Sequence, residues 1–397
     1  MDNTNRLSDY FRKSAFYIKI SKFVVIILML VFAITCIISF RHDITIENIQ
    51  LLSRFITLDG SSSHYSEEFS VSVREDSEII MLRDNLGVVS NNNISLYDLS
   101  GRKLFSYDYS MSSPSVSHDN HYILVYDVGG SEASVFNSFS KIKTFSFEFP
   151  IYAADIKNDH VAFICGNDLS RSVLQIYRFD NKEKDYTLSY SKESDKFFNS
   201  VSLTDNGKNV LASSVSSSGG KYDCSISVFD TKSNSKTPVL DFSTENELPV
   251  LTNVNNNGAS YFAITDSSVK FFDKNLTETS TYKFNQSKVS DFYSNEKIIV
   301  ITERNNLSGN SMKLNILDAA GNIIREFTIP DEISDVAIGN KFIFALGENG
   351  VYRYSIDAED TSADSTYSVD TKYHSVVCDT DDNCYIANFT LVSKVSF

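Results

Sequence analysis

Hydrophobic and polar positions alternate along most of this chain. From Phe69 onward, short runs of Val, Ile, Tyr, Phe and Ser are separated by turns rich in Asn, Asp and Gly. A period of two interrupted by such turns is typical of β-strands joined by hairpins. Residues 69–397 are therefore predicted to form an all-β domain.

One motif recurs along this region: an alternating strand that ends in an aromatic or aliphatic residue followed by Asp. The motif ends at positions 98, 137, 180, 230, 273, 318 and 357, with Asn in place of Asp at position 137. The mean spacing is about 43 residues, and strand-only repeats of about 40–45 residues indicate β-propeller blades of four antiparallel strands. The recurring Asp is predicted to accept hydrogen bonds from backbone N–H groups of the turn that follows.

The repeat predicts a closed ring. Seven units share the same order, and residues 373–397 add three strands without a fourth. Residues 69–73 precede the first complete unit and are predicted to supply that strand, which places both ends of the domain in one blade. Closure removes exposed sheet edges that would otherwise aggregate. We predict a single β-propeller of eight four-stranded blades, with seven blades and irregular ends as the alternative.

A different pattern lies near the N-terminus. Residues 23–40 read FVVIILMLVFAITCIISF, eighteen positions without a charge, Pro or Gly. At about 1.5 Å per residue, a helix of this length covers roughly 27 Å, close to the hydrocarbon core of a bilayer. The run predicts one transmembrane helix. A cleavable signal peptide would have a shorter apolar core and a small-x-small site, which the end of this run lacks.

Charge indicates how this anchor is oriented. Residues 1–22 carry five Lys or Arg side chains, whereas the first twenty positions after the anchor carry two. The positive-inside rule then predicts a cytoplasmic tail at 1–22 and an extracytoplasmic C-terminal domain, in the cell membrane and with the bilayer as a partner. Residues 41–68 are predicted to form a short juxtamembrane helix and a linker, since Ile46, Ile49 and Leu52 recur at helical spacing.

Net charge excludes one class of partner. The chain has 397 residues with 36 Lys or Arg and 51 Asp or Glu, a net charge of −15, and the part after residue 41 alone carries −19. An exterior domain this acidic repels phosphate backbones, so we predict no nucleic-acid partner.

Few residues stand out as candidates for a chemical site. None of the six His residues has zinc or metalloprotease spacing, and His118 and His121 fall in a turn-rich stretch. Residues 378–384, CDTDDNC, imitate part of a calcium loop but lack the Gly and the downstream Glu of an EF-hand. An acidic hairpin turn is the simpler interpretation. No Gly-rich phosphate loop or nucleophile motif occurs, so we predict no catalytic residue, no metal ligand and no cofactor.

The five cysteines are too few for a disulfide scaffold. Cys378 and Cys384 can face each other across the predicted hairpin, and a disulfide between them is left open. Cys165 and Cys224 lie in separate repeat units and are predicted to be buried thiols.

The order of segments resembles a known family. A basic tail, an apolar run and ITIENI are followed by SLYDLSGRKLFSYDY, SPSVSHDNHYILVYDVGG and VSLTDNGKNVLASSV. Together they resemble a domain-of-unknown-function family of single-pass membrane proteins from Gram-positive anaerobes. The resemblance implies a propeller-like exterior domain and brings no catalytic residues. WD-type repeats match less well, because the chain has no Trp.

These observations favour a binding or scaffold module over an enzyme. The predicted function is a membrane-anchored propeller that binds a protein, a peptide or an envelope polymer through its loops. The alternative is an envelope lyase or hydrolase of glycans that uses carboxylates and tyrosines in the central funnel. In a third interpretation the propeller is a sensor and the cytoplasmic tail transmits its signal.

Overall fold

The structure is a computed structural model that divides into two units, residues 1–62 and 63–397. It describes residues 3–39, 68–71, 77–82, 85–179, 184–191, 196–204, 207–218, 221–233, 236–245, 247–255, 258–284, 288–295, 297–305, 311–357, 363, 365–369 and 372–397.

The first unit contains one long helix. Helix α1 runs from Asn3 to Ser39 and therefore continues through both the predicted basic tail and the predicted anchor. Its side chains from Phe16 to Phe32 are exposed around the whole circumference. Among the residues described, no helix has the length and hydropathy required to cross a membrane. The predicted juxtamembrane helix in 41–68 lies outside the described residues, apart from Glu68.

The second unit contains eight four-stranded antiparallel sheets within the described part of the chain. Blades 1 to 4 comprise β2 (Glu78–Leu82), β3 (Asn85–Val89), β4 (Asn93–Asp98) and β5 (Lys103–Asp108); β6 (Pro114–His118), β7 (Tyr122–Asp127), β8 (Glu132–Asn137) and β9 (Lys141–Ser146); β10 (Ile151–Lys157), β11 (His160–Cys165), β12 (Ser170–Arg178) and β13 (Lys184–Ser191); β14 (Phe197–Leu203), β15 (Asn209–Ser218), β16 (Lys221–Asp230) and β17 (Leu240–Glu245).

The remaining blades follow the same order. Blades 5 to 8 comprise β18 (Pro249–Asn255), β19 (Ser260–Thr265), β20 (Ser268–Asp273) and β21 (Glu278–Lys283); β22 (Val289–Ser294), β23 (Ile298–Arg304), β24 (Met312–Asp318) and β25 (Ile323–Ile329); β26 (Ile333–Ile338), β27 (Phe342–Gly347), β28 (Gly350–Ser355) and β29 (Ser365–Ser368); β30 (Ser375–Cys378), β31 (Cys384–Ala387), β32 (Leu391–Val395) and β1 (Glu68–Ser70).

Blade 8 closes the ring with both ends of the domain. Strand β1 pairs antiparallel with β32, in a register that places Phe69 opposite Val392. The prediction that residues near 69–73 supply the missing strand is confirmed, and the count is eight blades rather than seven. Each of the eight boundaries between neighbouring blades holds one cluster of buried apolar side chains. The core is thus a ring of eight small cores.

Strand order defines two faces of the propeller. The first strands of neighbouring blades contact one another and therefore lie innermost, around the axis. Because strands alternate in direction, the turns between second and third strands lie on the same face as the connections between blades. We call this the upper face. The turns between first and second strands, and between third and fourth strands, lie on the lower face.

The recurring Asp or Asn performs its predicted role in blades 1, 2, 4, 5 and 6, whereas Asp180 lies outside the described residues. At the end of β4, Asp98 Oδ1 accepts hydrogen bonds from the backbone N–H groups of Ser100 and Arg102, at 3.0 and 2.9 Å. At the end of β24, Asp318 Oδ1 accepts from Ala320 and Asn322 in the same way. The same carboxylate or amide contacts recur in blades 2, 4 and 5, at Asn137, Asp230 and Asp273.

Candidate functional site

Exposed apolar side chains are concentrated on one part of the upper face. Seven large ones lie on blades 2 to 5, and half-buried Phe197 lies among them; Leu169 is 84% exposed, Tyr222 65% and Val250 58%. We call this surface the apolar arc: Val128, Tyr152, Leu169, Phe197, Tyr222, Leu248, Val250 and Leu251. Elsewhere on the described propeller, exposed large apolar side chains are dispersed: Phe139, Val239, Ile323, Ile324, Tyr367, Phe389 and Phe397.

Backbone pairing joins the blade 2 end of the arc to blade 3. Gly129 N donates to Ile151 O at 2.8 Å, and Ile151 N donates to Gly130 O at 2.7 Å. Ser113 N donates to Asp127 Oδ1 at 2.7 Å, which ties the turn to the connection from blade 1. These bonds hold Val128 beside the start of β10, where Tyr152 lies.

Aromatic contact continues the arc from blade 3 to blade 4. The rings of Tyr152 and Phe197 meet edge to face, with centroids 5.1 Å apart. Leu169 lies in the turn between β11 and β12, where its N–H donates to Asn167 Oδ1 at 2.9 Å. Tyr222 lies on the ten-residue strand β16, in the longest hairpin of the ring. Its side chain is therefore raised to the solvent side of the face.

A hydrogen-bond network fixes the blade 5 end of the arc. Glu247 Oε2 accepts from the Ser268 and Thr265 hydroxyls at 2.5 and 2.9 Å, and Lys270 Nζ lies 3.4 Å from Glu247 Oε1. Burial alone would raise the pKa of Glu247, but these hydrogen bonds and the Lys270 charge outweigh it and lower the pKa. The carboxylate therefore anchors the connection that carries Leu248. The side-chain amide of Asn199 in blade 4 donates a hydrogen bond to Pro249 O in blade 5 and so joins the two blades.

Half-buried carboxylates link the inner strands of neighbouring blades. Asp155 accepts from Ser117 Oγ in blade 2 and from Leu203 N in blade 4, both at 2.8 Å. Asp335 in blade 7 accepts from Ser375 Oγ at 2.9 Å and from Val376 N at 2.8 Å, both in blade 8. Burial raises the pKa of both carboxyl groups, and the hydrogen bonds oppose that rise. Both residues act as cross-links between neighbouring blades.

Titratable side chains of three blades meet around Asp335. Glu78, at the start of β2 in blade 1, is exposed as a residue, but partial burial of its carboxyl group, followed by the charge of Asp335, raises its pKa. Tyr293 in blade 6 donates to Asp291 Oδ2 at 3.4 Å, and burial together with the charges of Asp335 and Asp291 raises its pKa. We call Glu78, Asp291, Tyr293 and Asp335 the funnel cluster. The pKa values of Glu78 and Asp335 are both raised, and a carboxyl group that keeps its proton to higher pH can act as a general acid.

The histidines singled out in the sequence do not form a site. His118 is the last residue of β6 and is exposed. His121 lies in the next turn, where its N–H donates to Asp119 Oδ1 at 2.6 Å. Among the residues that the structure describes, no three His, Cys, Asp or Glu side chains are grouped to hold a metal ion.

The CDTDDNC segment forms an acidic hairpin turn between β30 and β31, which agrees with the interpretation of the sequence. Asp379 Oδ1 accepts from the N–H groups of Asp381 and Asn383 at 2.9 and 2.8 Å, so this carboxylate shapes the turn. Cys165 and Cys224 are buried thiols, as predicted. Cys378 and Cys384 are free thiols on opposite strands.

Sequence reasoning did not locate the apolar arc or the funnel cluster. The signal for the arc is weak: one Leu in the polar turn Gly166-Asn167-Asp168-Leu169, and two adjacent apolar residues after Pro249. The carboxylates of the cluster are three of the 51 acidic residues of the chain, and only the ring geometry brings them together.

Solved structures share this fold. BamB from Moraxella catarrhalis is 12% identical, with a TM-score of 0.52 over 83% of this chain and 96% of that one. Sqt1 from Saccharomyces cerevisiae is 10% identical, with a TM-score of 0.53 over 83% of this chain and 98% of that one. At such identities the likeness extends to the fold alone.

Sequence comparison identifies the family. No curated protein matches this sequence. The model of a family of unknown function, DUF5711, matches residues 61–389, which includes nearly the whole propeller. The chain therefore belongs to the family of unknown function DUF5711.

Proposed function

We propose that the propeller is a protein-binding module and that the apolar arc is its docking surface. The observation that carries this proposal is that each of four adjacent blades presents exposed apolar side chains at the upper face. Apolar patches exposed to water mark interaction sites, because a partner that covers them removes apolar area from water.

The chemistry of the arc favours a protein partner over an envelope polymer. Leu169, Val250 and Leu251 present aliphatic surface that a polar glycan cannot cover favourably. Hydrogen bonds hold the backbone that carries them: Leu169 N donates to Asn167 Oδ1 within its turn, and Asp266 N donates to Leu248 O at 3.0 Å beside the start of β18. Binding therefore has to order little of this backbone. The partner therefore presents apolar side chains of its own to this face.

A matched pair of valines tests the proposal. Val250 lies in the arc and Val239 on the lower face, and they are 58% and 54% exposed. Once a partner has been captured by a photo-crosslinker at Leu169, titration against each variant measures its affinity. Val250→Ser is expected to weaken binding about tenfold, since a buried Val contributes about 1.5 kcal/mol or more, and Val239→Ser to leave it unchanged. Equal affinities for both variants would remove the arc as the docking surface.

We also propose that α1 anchors the protein in the cell membrane, with the propeller outside. The uncharged run at 23–40, the five cations before it and the exposed apolar side chains from Phe16 to Phe32 support this proposal. Carbonate extraction of membranes is expected to leave the chain in the pellet. Protease added to intact cells is expected to digest the propeller epitope. Survival of that epitope, with digestion only after lysis, would reverse the orientation.

The funnel cluster supports a second candidate function, that of a glycan-active enzyme. A carboxyl group with a raised pKa beside other carboxylates is what general acid catalysis at a glycosidic bond requires. Glu78 is the acid this arrangement favours. Purified protein incubated with cell-wall glycan would then release reducing ends, and Glu78→Gln would abolish the release. No release by the wild-type protein would dismiss this candidate without affecting the binding proposal.

A further inference from the structure

Cys378 and Cys384 lie directly opposite each other on the inner hairpin of blade 8. The next pair toward the turn is hydrogen-bonded, since Asp379 N donates to Asn383 O at 3.0 Å. Hydrogen-bonded and non-hydrogen-bonded pairs alternate along an antiparallel ladder. The cysteines therefore occupy a non-hydrogen-bonded position, where Cα atoms are about 4.5 Å apart. This separation lies within the range of about 4.4–6.8 Å that a disulfide spans.

Both thiols belong to one apolar environment. Cys384 is part of the buried cluster between blades 7 and 8, and Cys378 packs against the same cluster. The thiols are close enough that ionisation of Cys378 bears on that of Cys384. The other two described cysteines, Cys165 and Cys224, lie in blades 3 and 4 and have no cysteine opposite them.

We propose that Cys378 and Cys384 are a disulfide site, joined as the hairpin forms in the presence of a disulfide oxidant such as oxidised glutathione or a thiol oxidoreductase. One thiol loses its proton and attacks the oxidant, which breaks the oxidant's S–S bond and releases one thiol from it. The second cysteine then loses its proton and attacks this mixed disulfide, which forms the internal S–S bond and releases the oxidant's other thiol. The two cysteines lose two electrons and two protons in total, and the oxidant gains them.

Burial determines when this exchange takes place. In the folded protein it raises the pKa of Cys378 to about 12 and that of Cys384 well above its usual value. Since the thiolate is the attacking species, the folded pair exchanges slowly. The bond therefore forms before the blade is packed.

The disulfide would also fix a contact between blades. Asp382, in the turn that follows Cys378, accepts at Oδ1 from the N–H groups of Asn340 and Lys341 in blade 7, at 2.6 and 3.2 Å. The bond closes a loop of seven residues. In the chain-entropy account, a disulfide that closes a loop of this size raises the melting temperature of a domain this large by about 3 °C.

Oxidative refolding of the full chain in detergent tests the proposal. The reduced protein is unfolded in guanidinium and refolded with reduced and oxidised glutathione. It is then denatured in guanidinium that contains iodoacetamide, so that every free thiol is alkylated, and digested with trypsin. Residues 373–394 then form one peptide that contains both cysteines of the pair and no other. We expect this peptide two hydrogens lighter than the dithiol and without alkylation, whereas Cys165 and Cys224 are alkylated.

Variants keep the test independent of folding yield. In Cys378→Ser, Cys384 is expected to be alkylated after the same treatment. The midpoint difference of about 3 °C between oxidised and reduced wild-type protein is expected to vanish in that variant. A peptide alkylated at both cysteines after oxidative refolding of wild type would overturn the proposal. So would a disulfide between Cys384 and Cys165 or Cys224.

Discussion

The closing strand β1 offers a sharp test of how the ring is held. It has three residues, and its side chain Phe69 is buried in the cluster between blades 8 and 1. The ring of Phe69 lies over Gly101, whose φ is +82°, and a Cβ there would lie 2.3 Å from Phe69 Cβ. Gly at this position therefore supplies both the left-handed backbone and the space for the ring.

Phe69→Ala is expected to release β1 while the rest of the propeller stays folded. Ordering residues 68–71 costs about 4–8 kcal/mol of backbone entropy, and Phe→Ala in a core removes about 3–5 kcal/mol. The ladder that remains consists of three residue pairs and the bond from Val71 N to Thr390 O, at 3.0 Å. The free energy of opening β1 should therefore fall by about 3–5 kcal/mol, which is roughly two to four orders of magnitude in the opening equilibrium.

Hydrogen exchange followed by mass spectrometry measures that opening. Amides of β32 that donate to β1 should exchange about 10²–10⁴ times faster in Phe69→Ala, while the protection of amides in blade 4 stays unchanged. Phe327→Ala is the matched control. Phe327 is also buried on the outer strand of its blade, but that strand, β25, directly follows its partner β24 in the chain. That variant should lower the melting temperature without selective exchange in β32. Unchanged protection of β32 in Phe69→Ala would refute the reasoning.

Three further outcomes follow from the described contacts. Asp155 holds its proton to higher pH in the folded than in the unfolded chain, so its contribution to stability should fall as pH rises from near 3.8 through the folded pKa. Asp155→Asn should flatten this part of a melting-temperature profile between pH 4 and 8, and an unchanged slope would contradict the assignment. Gly321→Ala should destabilise the propeller by more than 1 kcal/mol in chemical unfolding, because φ is +84° and the added Cβ would lie 2.5 Å from Phe271; a neutral result would exclude strain there. Asp318→Ala should cost about 1 kcal/mol in the same assay, since two N–H groups of the turn lose their acceptor, and an unchanged free energy of unfolding would contradict this role.

The sequence predicted the ring better than the surface it presents, for a physical reason. Turn chemistry is local: Asp98 and Asp318 mark the same turn in different blades because each carboxylate binds N–H groups within four residues. Closure by the N-terminal strand also followed from counting strands. Exposure is not local, since Val250 and Val254 lie in the same strand and only the neighbouring blades decide that the first is exposed and the second buried.

The polar interior was equally hidden. Asp155 contacts residues 38 and 48 positions away, through bonds to Ser117 and Leu203. No spacing rule connects such residues, because the separation depends on the length of each blade. Hairpin-scale features, such as the opposed cysteines at 378 and 384, were by contrast within reach of the sequence.

Because β1 pairs with β32, the ring can close only after nearly the whole chain has been synthesised. Phe69 leaves the ribosome 323 residues before its partner Val392. At about 5–20 residues per second, the interval is roughly 15–65 s. Throughout that time the nascent ring is an open arc, with blade 1 lacking its neighbour and the N-terminal segment unpaired. Cells that make this protein therefore have to shield the unpaired sheet edges of the incomplete ring during that interval. Ribosome stalling in the last blade would leave those edges exposed to other chains.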